Sequence, residues 1–257
     1  MNIVFITNAY TRTAVPYIKK LLDVRSKDIC GVILLDPVSF SRILRKIGKL
    51  GLGHVLKRAA ERIRSALSAG IRRKRKENEI FESVEELQSV YGFRVCKVKS
   101  LRSEAAMRRL KNMSPDLIFV CTLSEIVSPE ILALPPLGVI NIHAGLLPQY
   151  RGPASNFWVL YNRERKTGVT FHYMSDKPDR GDIIAQRELE IEITDTEESL
   201  DRKLSLLGAE EICPLAQKIE NGTIERKIQD EDLATYFPQP EYDKRLELKK
   251  RLLEKNG

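Results

Sequence analysis

Five short runs rich in valine, isoleucine, leucine and phenylalanine, at residues 2–7, 30–35, 93–98, 116–121 and 138–142, alternate with stretches of helical periodicity. Apart from Arg94 and Lys97 in the third, the runs are nearly continuous in apolar residues, the pattern of a strand covered on both faces. Strands of this kind separated by helices predict an α/β fold: a doubly wound, mostly parallel, Rossmann-like sheet with helices on both faces. Beyond them, 168–174 and 183–191 read as two more strands, the second more alternating. Residues 196–220 read as a long helix, with Thr194, Asp195 and Thr196 as candidate caps and Asn221-Gly222 as the stop.

The formal net charge of +8 is concentrated in one segment. Residues 37–79 hold thirteen Lys/Arg against three Glu, so the segment carries +10 and the remainder of the chain −2. A high pI therefore does not make the body of the protein a nucleic-acid binder. Within the segment, Ile43, Leu44, Ile47 and Leu50 fall at helical spacing, and Leu56, Ala59, Ala60, Ile63 and Leu67 form a second apolar stripe. Two readings follow. An interfacial helix pair would contact an anionic membrane through residues 39–76. A surface insertion would instead pack its stripe on its own domain, as amphipathic helices ordinarily do.

No run is long enough to span a bilayer, and residues 2–7 lack a basic leader and a cleavage site, so they read as a first strand. The expectation is a cytoplasmic protein, peripheral at the inner face of the membrane under the first reading, and compatible with a homo-oligomer. Cys30, Cys96, Cys121 and Cys213 stand apart in apolar runs without metal-ligand spacing and are expected to be core thiols.

Chemistry concentrates in Asn141-Ile142-His143, the following loop AGLLPQYRG (144–152), and Asp179-Arg180-Gly181-Asp182, which begins thirty-six residues after the histidine. Alternate residues of a strand share a face, so Asn141 and His143 can converge on one atom at a strand's carboxyl end, where α/β folds collect ligands. Gly152-Pro153 ends the loop and opens a helix over 154–161. Taken singly, each residue has an ordinary explanation: a structural histidine, a turn-forming asparagine, an Asp-x-Gly turn. His172, in an alternating strand, and His54, in the basic segment, are set aside as non-catalytic.

The string from Asn141 to Gly152 resembles the signature loop of the folate-dependent formyltransferases, the family of glycinamide ribonucleotide, methionyl-tRNA and amino-sugar formyltransferases. The similarity runs from about residue 115 to 186 and includes Gly168-Val169-Thr170 and Asp179-Arg180-Gly181. The resemblance implies a formyltransferase fold, Asn141, His143 and Asp179 as catalytic residues, 10-formyltetrahydrofolate as co-substrate, and no metal. It places the pterin between loops 123–127 and 175–179, with Leu123, Glu125, Ile126, Val127, Val139 and Ser175 as contacts. Many relatives have a glycine in the stretch matching 122–125, and this chain has none.

In the chemistry so implied, Asn141 and a protonated His143 donate to the formyl oxygen as negative charge grows on it. Asp179 raises the proton affinity of His143 and takes the proton released by the attacking amine. The expected organisation is a catalytic domain over 1–238, including the basic helical insertion 37–79, followed by a charged helix or tail at 239–257 and no C-terminal barrel. That organisation makes the amine of a nucleotide-linked amino sugar the leading acceptor. A methionyl-tRNA or other small-amine formyltransferase and a formyltetrahydrofolate hydrolase are alternatives, and a basic nucleic-acid or membrane-binding module is a third reading.

Overall fold

The structure, a computed structural model, describes residues 1–9, 11–36 and 81–255. The basic segment 37–79 and its proposed membrane contact through 39–76 lie outside the described residues. The chain divides into two compact units, Met1–Pro136 and Leu137–Gly257.

The first unit is built on parallel strands: β1 (Ile3–Asn8) pairs with β2 (Ile29–Leu35) and with β4 (Leu117–Cys121), and β2 pairs with β3 (Val95–Val98). The apolar runs of β1, β2 and β4 become strands buried on both faces, with Val4, Ile6, Ile33, Leu34, Leu117 and Phe119 almost inaccessible to solvent. Helices α1 (Val15–Arg25), α2 (Val84–Tyr91) and α3 (Glu104–Met113) accompany them. Ser83 and Ser103 cap α2 and α3 by accepting from the amides of Glu86 and Ala106. The strand order β3-β2-β1-β4 reverses its winding between β1 and β4, which makes their carboxyl ends the switch point of this unit. There the Asn8 amide donates to the Thr122 carbonyl at 3.3 Å, and Asn8 Oδ1 accepts from the Ser124 hydroxyl at 3.0 Å.

The second unit is antiparallel. Strand β5 (Val139–His143) pairs with β6 (Lys166–Tyr173), and β6 pairs with β7 (Ile183–Glu190). Helix α4 (Pro129–Leu132) is a single turn before this unit, α5 (Ser155–Tyr161) follows the signature loop, and α6 (Glu197–Glu220) packs on β6 and β7. Thr196 caps α6 through a capping box with Ser199, and Asn221 closes its far end. Helix α7 (Tyr242–Lys255) buries Leu248 against Phe157 and Trp158 of α5. Strands of both senses with flanking helices make this the mixed α/β class that the sequence predicts.

His143 is the last residue of β5, so the strand ends in Asn-x-His as expected. One local expectation is corrected. Cys121 and Cys213 are buried, but Cys30 and Cys96 are only half-buried, because β3 ends the strand order and leaves the start of β2 and its own face partly open. Among the described residues no helix is long and apolar enough to cross a membrane.

The glycine-free stretch after β4 carries a conformational cost. Thr122 has φ 52°, the left-handed region that disfavours a β-branched side chain. Thr122→Gly is expected to raise stability by about 0.5–1 kcal/mol, the relief of that conformation less the added freedom of the unfolded glycine. A urea midpoint that falls in the variant would contradict the assignment of strain.

Candidate functional site

Strand register assembles the site. In the antiparallel β5–β6 pair, Asn141 lies opposite His172 and His143 opposite Thr170, so four polar residues share one face. Asp179 comes from the loop between β6 and β7 and reaches the same cluster. Its Oδ1 is 3.3 Å from Asn141 Nδ2 and 3.6 Å from both His143 Nδ1 and His172 Nε2. Its Oδ2 accepts the Gly152 amide at 2.9 Å. The three residues expected to be catalytic are therefore brought together, and His172, set aside on sequence, joins them.

The tautomers follow from the partners. A carbonyl can only accept, so His143 Nε2, 2.6 Å from the Tyr150 carbonyl, carries the hydrogen, and His143 Nδ1 is the bare nitrogen facing Asp179. His172 Nδ1 donates to the Tyr173 carbonyl at 2.8 Å, which leaves His172 Nε2 to accept from Asn141 Nδ2 at 3.0 Å. Both hydrogens of the Asn141 amide are thus engaged, one by His172 and the other, at longer range, by Asp179. Neither 3.6 Å gap is a hydrogen bond, but each becomes a candidate for one when a proton arrives.

Burial lowers the His143 pKa from its ordinary 6.5, and the attraction of Asp179 and the Tyr150 carbonyl only partly offset it. For Asp179, burial works upward, but His143, His172 and the Gly152 N–H outweigh it and hold the carboxyl well below the usual carboxylate range. Both directions hold together. Asp179 ionises at a pH where His143 still has its second proton, and the Gly152 N–H keeps it ionised after the imidazole gives that proton up. Both directions favour a neutral imidazole beside a carboxylate, against the expectation of a protonated His143 and a basic Asp179.

The loops are positioned by backbone geometry and buried side chains. Thr170 Oγ1 donates to the Gly145 carbonyl at 2.6 Å and accepts the Leu147 amide at 3.2 Å. Gln186 Nε2 donates to the Leu147 carbonyl at 2.7 Å. The Ser155 hydroxyl lies 3.2 Å from His143 Nε2 at the start of α5. Tyr150 stacks on Phe237 with centroids 4.9 Å apart. Burial and its bond to Glu164 push the Tyr150 phenol up to about 12, so it stays protonated.

The residues expected to meet the pterin are placed as follows. Val127 and Val139 are buried, Leu123 is half-buried, and Ile126 is exposed. Glu125 is occupied structurally, its Oε2 accepting the Leu101 amide at 2.9 Å and the Ser100 hydroxyl at 3.0 Å. Ser175 donates to the Lys177 carbonyl at 3.0 Å. Ile126 and Val127 line one side of an open groove of about 900 Å³ whose other side is Met107, Arg108 and Lys111 of α3. Among the described residues no three His, Cys, Asp or Glu side chains are grouped to hold a metal ion.

Comparison with known proteins decides the family. The formyl transferase pattern matches residues 63–215, more than half of the 257. The chain belongs to the formyl transferase family. Methionyl-tRNA formyltransferase of Ruminiclostridium cellulolyticum is 34% identical over 155 residues, 60% of this chain and 50% of that protein. The enzyme of the same name from Akkermansia muciniphila is 39% identical over 147 residues, 57% of this chain and 47% of that protein. The chain thus spans about half the length of the curated relatives it matches. Among solved structures, WlaRD, a sugar 3N-formyl transferase, superposes with TM-score 0.60 at 16% identity, covering 93% of this chain and 70% of that one. HypX from Aquifex aeolicus gives TM-score 0.61 at 16% identity over 95% of this chain and 32% of that one. At these identities the structural likeness is one of fold, and it is the formyltransferase fold. The chain carries a formyltransferase catalytic domain, related both to the methionyl-tRNA and to the sugar enzymes.

Gly152 sits where the loop beside this site has no room for a side chain. It has φ 104°, and a Cβ there would lie 2.2 Å from the Phe237 carbonyl oxygen, a backbone atom that cannot step aside. Gly152→Ala is expected to cost roughly 2–4 kcal/mol of stability. An unchanged melting temperature would show that the loop tolerates a side chain.

Proposed function

We propose that this chain transfers the formyl group of 10-formyltetrahydrofolate to the primary amine of a nucleotide-linked amino sugar. The observation that carries the reading is the convergence of Asn141, His143 and Asp179 on one point, with a bare imidazole nitrogen turned toward an ionised carboxylate. Attack of a neutral amine on a formyl carbon needs a donor for the oxygen that gains negative charge and a base for the proton the nitrogen loses.

Asn141 supplies the donor by exchanging its long contact with Asp179 for the formyl oxygen, while His172 holds the other amide hydrogen and so the orientation of the group. His143 Nδ1 accepts the proton from the nitrogen. Asp179 stabilises the imidazolium so formed, and the same proton then returns to the nitrogen of the departing tetrahydrofolate as the old C–N bond breaks. Formamide and tetrahydrofolate leave, and the residues are restored.

The folate and sugar components draw support from relatives. WlaRD was solved with dTDP and 5-N-formyl-THF, and the N-formyltransferase of Helicobacter canadensis with folinic acid and dTDP-3-aminofucose. Both cover 93% of this chain. The exposed Ile126 beside buried Val127, in the loop after β4, suits the flat face of a pterin. A methionyl-tRNA acceptor is the second reading, favoured by the curated relatives at 34–39% identity.

The acceptor is tested by incubating the protein and 10-formyltetrahydrofolate with nucleotide-linked 3-amino and 4-amino sugars and, in parallel, with methionyl-tRNA. Gain of one formyl group on a sugar supports the proposal; gain only on the tRNA transfers it to the second reading. Formate release without any amine would instead indicate a hydrolase. His143→Gln and Asp179→Asn are expected to lower kcat by at least about 10²-fold with the fold retained by circular dichroism, and Asn141→Ala by about 10²- to 10³-fold. Turnover of His143→Gln within threefold of the parent would remove the base from the mechanism.

The pH dependence has a definite sign. A base must be unprotonated, and burial lowers the folded His143 pKa from 6.5, so in the free protein the imidazole is expected to take up its second proton only as pH drops below that value. A His143 titration midpoint above pH 7 by ¹⁵N-histidine NMR would contradict the burial argument.

A further inference from the structure

Arg151 is almost wholly buried, yet it touches none of Asn141, His143 and Asp179 through its side chain. Its guanidinium spends its donors on two acceptors. Nε and Nη2 donate to Gln229 Oε1 at 3.2 and 2.9 Å, and Nη1 and Nη2 donate to the two oxygens of Glu231 at 2.9 and 2.7 Å. Gln229, also buried, uses Nε2 to donate to the Asp179 carbonyl at 2.9 Å and to the Gly181 carbonyl at 2.8 Å.

We infer that Arg151 is a positioning residue that acts through Gln229 to set the backbone of Asp179 and hence the aim of its carboxylate at His143. The inference deepens the proposed reaction and rests on it for its kinetic consequences alone.

The physical argument is one of donor and acceptor sense. A buried carboxamide can present either its oxygen or its two hydrogens to the carbonyls of Asp179 and Gly181. Turned the wrong way, it would set oxygen against two carbonyl oxygens. The guanidinium excludes that orientation, because it offers only donors and can be met only by Gln229 Oε1. The two hydrogens are then committed to the turn. That commitment is needed because Asp179 has φ 55°, in the left-handed region, and Gly181 packs so closely that a Cβ would lie 1.8 Å from the Tyr173 carbonyl oxygen.

Residues 151 and 152 thus hold Asp179 at both ends. The Gly152 amide donates to Oδ2 of the carboxylate, and Arg151 reaches the carbonyl by way of Gln229. Arg151 is itself anchored through its backbone, its amide donating to the Thr235 carbonyl at 3.1 Å and its carbonyl accepting the Phe237 amide at 2.9 Å. Glu231 neutralises the guanidinium, so the effect on Asp179 is one of geometry. Lysine, a single ammonium, cannot reproduce a fork that meets Gln229 and Glu231 together.

The test uses the full chain labelled with ¹⁵N-histidine, comparing the parent with Arg151→Lys, Gln229→Met and the double variant. The ionisable groups facing His143 are Asp179 and His172. In Gln229→Met, loss of the aligned carboxylate is expected to move the His143 titration midpoint to lower pH. A merely structural role would lower the melting temperature and leave that midpoint in place.

In the kinetic arm, each single variant is expected to lower kcat by about 10- to 100-fold, with KM for the formyl donor within about threefold. The double variant is expected to be no worse than the poorer single, because both residues act along one chain of contacts. An unmoved His143 midpoint in Gln229→Met overturns the inference, as do losses that multiply in the double variant. If Arg151→Lys does not fold, the Gln229→Met titration decides alone. If the parent shows no formyl transfer, the proposed function fails, and the titration still judges this inference independently.

Discussion

A buried, ionised carboxylate is the constraint around which the second unit is arranged. Taking a charge out of water is expensive unless it is paired or hydrogen-bonded, and Asp179 accepts the Gly152 amide on Oδ2 and the Asn141 amide on Oδ1, with two imidazoles 3.6 Å away. Each of those contacts requires a particular backbone. Gly152 and Gly181 have no room for a side chain, and Asp179 itself adopts a left-handed conformation. The signature loop, the turn before β7 and the segment from Gln229 to Phe237 therefore meet where one carboxylate needs them.

The electrostatics of that arrangement favour accepting a proton. Tyr150 and Tyr173 each take a hydrogen from one imidazole through a backbone carbonyl, so both rings turn a bare nitrogen toward the same oxygen of Asp179. The cluster is rich in acceptors and short of one proton. Desolvation holds His143 neutral, and the carboxylate beside it stabilises the cation only after the proton has moved. In the proposed reaction the imidazole carries the proton, and the carboxylate, held acidic by its neighbours, makes the transfer favourable.

Much of this was legible in the residue order because it is local. Continuous apolar runs became strands, Thr196 and Asn221 bounded the long helix, and an i,i+2 spacing put Asn141 and His143 on one face. His172 was passed over because an isolated histidine in an alternating strand looks like core. The missed signal was Thr170-x-His172, a second i,i+2 pair that the antiparallel register places opposite His143 and Asn141. Arg151 was read only as part of a motif, and Gln229 and Glu231 left no local trace, since their partner lies about eighty residues away in sequence. The hydrogen bonds that Glu125 accepts from Ser100 and Leu101 were likewise not visible in the residue order.

Short-range pattern was sufficient to specify the class of fold, the family and the three polar residues at its centre, because strand periodicity, helix caps and a twelve-residue motif are properties of neighbours along the chain. Protonation states and supporting contacts arose only on folding. Which nitrogen of His143 is bare depends on a carbonyl seven residues away, its basicity on the exclusion of water, and the aim of Asp179 on a glutamine fifty residues downstream. Distances between remote residues and the loss of solvent around them are set by packing, and no linear order of side chains encodes them in readable form.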